Sequence, residues 1–139
     1  MATPIRPQLS KSNKYWIEKH RYYELKHFCL QYPLWKKAYN DINEFGNSAS
    51  IFSVNSKTNK KIDPVEKCVE VKTYYLNRMN MVKNVAEEAE ALLSEYIILA
   101  VTEGFTYTYL SMKLDIPCSR DHYYEVYRRF FWLLSKARD

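Results

Sequence analysis

The stretch from residue 104 to residue 139 reads GFTYTYLSMKLDIPCSRDHYYEVYRRFFWLLSKARD, and its punctuation decides the fold. Gly104 is the residue type that ends helices, because it enters the left-handed conformation without a side-chain clash. Thr106 follows as an N-cap, so the spacing predicts a short helix over 107–114 with Tyr109, Leu110 and Leu114 facing inward. Ile116-Pro117-Cys118 cannot prolong that helix, since proline has no N–H and pushes the residue before it toward extended conformations. Ser119 then opens a longer helix over 120–137, on which Tyr123, Tyr127, Phe130, Phe131 and Leu134 recur on one face. Arg120, Asp121, Tyr124, Glu125, Arg128 and Arg129 fall on the opposite face. A short helix, a tight turn and a longer helix with polar and basic first turns is the outline of a helix-turn-helix over 105–137.

Working upstream, Asp63-Pro64-Val65-Glu66 combines an acidic cap, an N1 proline and an N3 carboxylate, a helix start. Neither Pro nor Gly follows until Gly104, yet a helix of that length would measure roughly 60 Å at about 1.5 Å per residue, too long for a compact domain. A break is expected between Asn84 and Glu90, giving helices over 64–85 and 90–103 with Leu92, Tyr96, Leu99 and Ala100 on one face of the second. Near the N-terminus, Ser12 caps a helix over 13–30 carrying Trp16, His20, Tyr23, His27 and Leu30 at helical spacing. Pro33 can serve as N1 of another helix, whose Leu34, Trp35, Ala38, Tyr39, Ile42 and Phe45 form a stripe stopped by Gly46. The expectation is an all-α fold of five or six helices: a basic tail (1–11) and an aromatic helical hairpin to residue 45, a Ser/Asn/Lys loop or linker over 46–62 in which 50–54 could form a short strand, and a helical scaffold over 63–139 ending in the helix-turn-helix.

Composition agrees. The 139 residues make one domain's worth of chain on a prior of roughly 100–200 residues per domain. Two glycines cannot build phosphate-cradling loops or a turn-rich β fold, and 16% aromatics, including 13 Tyr, exclude a disordered chain. Residues 1–62 hold 11 basic and 4 acidic side chains, residues 63–104 hold 4 and 8, and residues 105–139 hold 6 and 4. A polyanion would therefore meet one of the two basic ends, with the acidic centre as scaffold or homodimer surface. Cys29, Cys68 and Cys118 are odd in number and far apart, so no disulfide framework is expected. No apolar leader is present, and the longest apolar run, 96–101, falls short of the roughly 20 residues that span a bilayer, so no membrane association is expected and the setting is cytoplasmic.

Other groups have two roles open to them. His20 and His27 could ligate a metal, but packed or surface histidines need no accompanying ligand cluster. Cys118 could be a redox-active thiol at a helix N-terminus or simply a small residue that fits the turn. Trp16, Trp35 and Tyr22-Tyr23 could stack on bases or pack two helices together. Glu87, Glu88, Glu90 and Glu95 resemble a catalytic cluster only in number, and no nucleophile or ligand motif accompanies them. No cofactor, metal or enzymatic activity is expected.

Thr106 through Ile116, followed by Ser119-Arg120-Asp121, resembles the helix-turn-helix of region 4 of bacterial sigma factors, with Leu110, Leu114 and Ile116 at its core positions. The extra Pro117-Cys118 departs from that pattern. The I-P-C-S-R-D-x-Y-Y-x-x-Y-R-R-F-F-W-L-L ending more closely resembles small phage-encoded transcriptional regulators of the ArpU/RinA-like kind, over residues 95–138. That resemblance implies double-stranded DNA binding in a bacterial host cell, for control of late or autolysin genes. It also implies that Arg120, Asp121, Tyr124, Glu125 and Arg128 lie on the recognition helix. Lys113, Arg120, Arg128 and Arg129 would then supply phosphate contacts, with Ser119 at the helix start, while Asp121, Tyr124 and Glu125 would face bases. The rival expectation is a phage-type adaptor or inhibitor that grips RNA polymerase or a defence nuclease, since Tyr, Trp and Arg are also the residue types of protein interfaces.

Overall fold

The computed structural model describes residues 13–45 and 64–138. The expected tail, the Ser12 and Asp63 caps, the Gly46 stop and the 46–62 loop with its candidate strand lie outside these residues. The described chain is all-α: α1 (Lys19–Leu30), α2 (Tyr32–Phe45), α3 (Pro64–Ala89), a 3-10 turn (Ala91–Leu93), α4 (Ser94–Glu103), α5 (Tyr107–Leu114) and α6 (Arg120–Ala137), with no strand among the described residues. No described helix is long and apolar enough to cross a membrane.

The first helix starts six residues later than its spacing predicts. Asn13 Oδ1 accepts from the Tyr15 amide at 2.9 Å and the Trp16 amide donates to the Asn13 carbonyl at 3.0 Å, so residues 13–16 form a turn. A short amide side chain that bonds its own backbone competes with helix in this way. Glu18, extended at φ −65° and ψ 145°, is the actual cap; its carboxylate accepts from the His20 and Arg21 amides.

The long middle segment breaks where expected. α3 stops at Ala89, and Glu90 takes φ −166° and ψ 108°. The 3-10 turn that follows winds three residues per turn rather than 3.6, which shifts the phase of the apolar stripe. Leu93, Ile97, Ala100 and Val101 are buried, whereas Leu92, expected on one face with Ala100, is 85% exposed.

The described chain divides into two compact units, one holding residues up to Gln31 and from Met81 onward, the other Tyr32–Asn80. The two helices of the expected hairpin, α1 and α2, fall in different units. In the first unit α1 packs against α4 and α6. Leu25, Cys29, Ile97, Phe130, Phe131 and Leu134 are completely buried there, each apolar side chain of this size contributing roughly 1.5–3 kcal/mol. The aromatic rings meet edge to face: Tyr22 with Phe131 at 5.1 Å, Tyr127 with Phe131 at 5.0 Å and Phe130 with Phe131 at 5.1 Å. That geometry places positive ring edges on negative ring faces. In the second unit the Lys72 ammonium lies 5.8 Å from the centre of the Tyr39 ring, joining α3 to α2.

Candidate nucleic-acid interface

The α5–turn–α6 segment is held by local bonds that its sequence supplies. Gly104 ends α4 in the left-handed region at φ 75°, and Thr106 Oγ1 accepts from the Tyr109 amide at 3.2 Å. α5 ends at Asp115, which also takes the left-handed conformation, at φ 50°. The next amide, Ile116, bonds back to the Leu110 carbonyl at 3.2 Å while its side chain is buried, the pairing of a wrapped helix end with an apolar anchor. Pro117-Cys118 is accommodated by two further contacts: the Cys118 amide donates to the Ile116 carbonyl at 2.9 Å, and the Tyr107 hydroxyl donates to the Cys118 carbonyl at 2.8 Å. Ser119 is extended, and its hydroxyl accepts from the His122 amide at 3.2 Å, so it caps α6 as expected.

The structure sorts the expected contact residues. Lys113, Ser119, Arg120, Asp121, Glu125 and Arg129 are exposed. No described carboxylate lies within ion-pair distance of Lys113, Arg120 or Arg129. The Arg120 guanidinium sits 4.9 Å from the centre of the Tyr107 ring, which aligns it beside the helix start.

Tyr124 does not face outward. It is 9% exposed and its ring lies 5.1 Å from Tyr123 and 6.5 Å from both Tyr107 and Tyr127. The reason is phase: Tyr124 stands three residues before Tyr127 and seven before Phe131, so it borders the core face and buries its ring there. Arg128, one turn further on, is half-buried, and its Nε is fully occluded without a hydrogen-bond partner. Tyr109 and Leu114 are likewise exposed instead of inward-facing; Tyr109 stacks on Phe105 at 4.4 Å, and Leu110 is the buried residue of α5.

One side of α6 carries a feature that the sequence did not announce. The 13–16 turn lies against it, with Tyr15 edge-on to Trp132 at 5.4 Å. Lys14, Asp121, Glu125 and Arg128 line a polar recess of about 230 Å3 there. Residues so far apart along the chain leave no periodic signal of their meeting. On the other side, His122 Nε2 stands 3.9 Å from Glu90 Oε2, so one carboxylate of the acidic segment reaches the first turn of α6. Glu87, Glu88 and Glu95 are exposed.

The remaining candidates take simple roles. His20 and His27 are exposed, and no group of three or more His, Cys, Asp or Glu among the described residues is placed to hold a metal. Tyr22 and Trp35 are buried, and Tyr23 and Trp16 are half-buried. All three cysteines are free. Burial pushes the Cys118 thiol up, the opposite of the shift that activates a thiol at a helix N-terminus.

The sequence matches no protein-family model, and neither a curated protein nor a solved structure is significantly similar to it.

Proposed function

We propose that the chain binds double-stranded DNA through α5 and α6 and acts as a small phage-type transcriptional regulator in the cytoplasm of a bacterial host. The observation that carries this is the Ser119-capped start of α6, together with Lys113, Arg120 and Arg129, which are exposed and have no described carboxylate within ion-pair distance. A helix N-terminus offers free N–H groups and the positive end of its dipole to a phosphate, and unpaired basic side chains add to that attraction. The buried aromatic face of α6 gives the helix a rigid backing while its polar ridge enters a groove. Base contacts fall to Asp121 and Glu125, whose carboxylates suit the exocyclic amine of cytosine. Tyr124 and Arg128 support the ridge from behind. A palindromic site would call for a dimer, for which the acidic α3–α4 segment is the available surface.

Selection of bound sequences from a random duplex pool tests this. A recovered motif containing cytosine, bound more tightly than random duplex at moderate salt, supports it. Recovery of no motif, with affinity that vanishes at moderate salt, overturns it.

One observation favours a second reading, a protein-binding adaptor or inhibitor directed at RNA polymerase or a defence nuclease. Leu92 and Met112 are 85% and 76% exposed, and large apolar side chains standing this far into water are the type that partners bury.

A further inference from the structure

The first unit contains a partly open recess of about 110 Å3, separate from the exposed ridge of α6. Half of its lining is aromatic, Phe105 just before α5, Tyr107 at its start and four rings of α6, and Leu30, Ala100 and Val101 supply aliphatic wall. Among its lining residues Lys26 is the only one that carries a charge. Lys26 is half-buried on α1, and no described carboxylate lies within ion-pair distance of it.

A second observation concerns Tyr123, one of the residues that line the same space. Tyr123 is 2% exposed, yet its hydroxyl has no hydrogen-bond partner among the described residues. The oxygen is not sealed off, since Arg128 Nε is the only fully occluded and unpartnered side-chain polar atom described. A tyrosine buried in that way, with a hydroxyl that is both free and reachable, retains a donor for something that enters the recess.

We propose that this recess binds a monocyclic aromatic carboxylate. The walls favour a flat ring, which can meet the surrounding rings edge to face or offset. The size allows one ring at most, because a closed apolar cavity of about 150 Å3 holds benzene and this recess is smaller, so the ring enters only because one side is open and its substituent stays at the mouth. The unpaired Lys26 ammonium and the free Tyr123 hydroxyl select an anionic acceptor over a neutral or cationic group. An aliphatic acid would leave the six rings of the lining without a ring partner, and a bicyclic ring exceeds the volume. A ligand in this place touches the first residue of α5 and the first two turns of α6 together.

The test is a titration of the full chain, followed by backbone amide resonances, with benzoate and, in parallel, the neutral analogue benzyl alcohol. The expected result is saturable shifts centred on residues 26, 105–107 and 123–124, with benzoate bound about tenfold more tightly than benzyl alcohol, the usual worth of one partly desolvated charge-assisted contact. Lys26→Met removes that preference and leaves benzyl alcohol binding in place. Shifts that do not saturate, or equal affinity for the two compounds in the unaltered protein, overturn the proposal. So does a Lys26→Met variant that still prefers benzoate. None of these readings involves DNA, so they stand or fall apart from the function proposed above.

Discussion

The hydroxyls of Tyr22 in α1 and Tyr127 in α6 lie 2.9 Å apart inside the aromatic core. Each hydroxyl is a bonding partner of the other, and Tyr22 is only 1% exposed. Removing one hydroxyl of a buried pair costs about 1–3 kcal/mol, because the survivor keeps its desolvation penalty and loses its compensation. Tyr127→Phe should therefore lower urea-unfolding stability by an amount in that range. Tyr22→Phe combined with Tyr127→Phe should cost less than the sum of the two single changes, a coupling that a double-mutant cycle reads directly. Additive losses would mean that the two hydroxyls do not bond.

The same pair sets an alkaline limit. Burial and the neighbouring Tyr22 push Tyr127 well above the ordinary tyrosine value of 10.0, and burial pushes Tyr123 up as well. Below pH 10.0 both states hold these protons and stability is intact. Above it the unfolded chain releases them first, so stability falls as pH rises toward the raised folded-state values. Thermal unfolding midpoints should be flat from pH 7 to about 9 and decline beyond about 10, with a shallower decline in Tyr127→Phe. An equal slope in that variant would remove Tyr127 from the account.

Arg21 closes the far end of α6. Its guanidinium donates to the Ser135 carbonyl at 3.0 Å and the Ser135 hydroxyl at 3.1 Å, and also bonds the Arg138 carbonyl and the Glu24 carboxylate. The last carbonyls of a helix lack internal partners and carry the negative end of its dipole, so a cation there both bonds and compensates. Arg21→Ala should cost about 1–2 kcal/mol in urea unfolding, and Arg21→Lys should restore less than half, since a single ammonium cannot reproduce the fork. Full rescue by lysine would reduce the contact to charge alone.

Helix class, the caps at Thr106 and Ser119 and the break at Glu90 were legible in the sequence, because each rests on the chemistry of a few adjacent residues. The failures have a common physical origin. An ideal period carried through a 3-10 turn or across an eight-residue helix misplaces Leu92, Tyr109 and Leu114, because a shift of one position moves a side chain through about 100°. Helical spacing and the resemblance both place Tyr124 on the outward face, but an amphipathic ring at the border of a helix face buries when neighbouring rings receive it. The late start of α1 and the seating of Tyr15 on Trp132 come from a side-chain turn and a tertiary contact, neither of which has periodicity. Of the residues expected to contact DNA, Lys113, Ser119, Arg120, Asp121, Glu125 and Arg129 are exposed, Arg128 is half-buried and Tyr124 is buried.

The two left-handed positions flanking α5 should respond in opposite ways. At Gly104, φ 75°, a Cβ would meet nothing within 4 Å, so Gly104→Ala suffers backbone strain alone, about 1 kcal/mol. Asp115 already bears a similar strain at φ 50°, and Asp115→Gly should be neutral or stabilising, whereas Asp115→Val should lose more than 1 kcal/mol, roughly, because a β-branched residue fits that region worst. Thermal shift measurements on the three variants decide this, and destabilisation by Asp115→Gly would show that the Asp115 side chain contributes something beyond conformation.

For DNA, the exposed charges divide by what they can recognise. Arg120→Ala and Arg129→Ala should weaken binding to every duplex and reduce the slope of log affinity against log salt by about 0.9 each, one phosphate contact apiece. Glu125→Ala should leave that slope unchanged while relaxing base preference by about 1–3 kcal/mol at a single position. Tyr124→Phe separates a buried ring from a base contact: with the ring 9% exposed, losing its hydroxyl should leave both affinity and preference intact. Fluorescence anisotropy at several salt concentrations, with the selected duplex and a scrambled one, gives all three answers. An altered preference in Tyr124→Phe would require α6 to rotate in the complex, and an unchanged salt slope in both arginine variants would remove the ridge of α6 from the phosphate contacts.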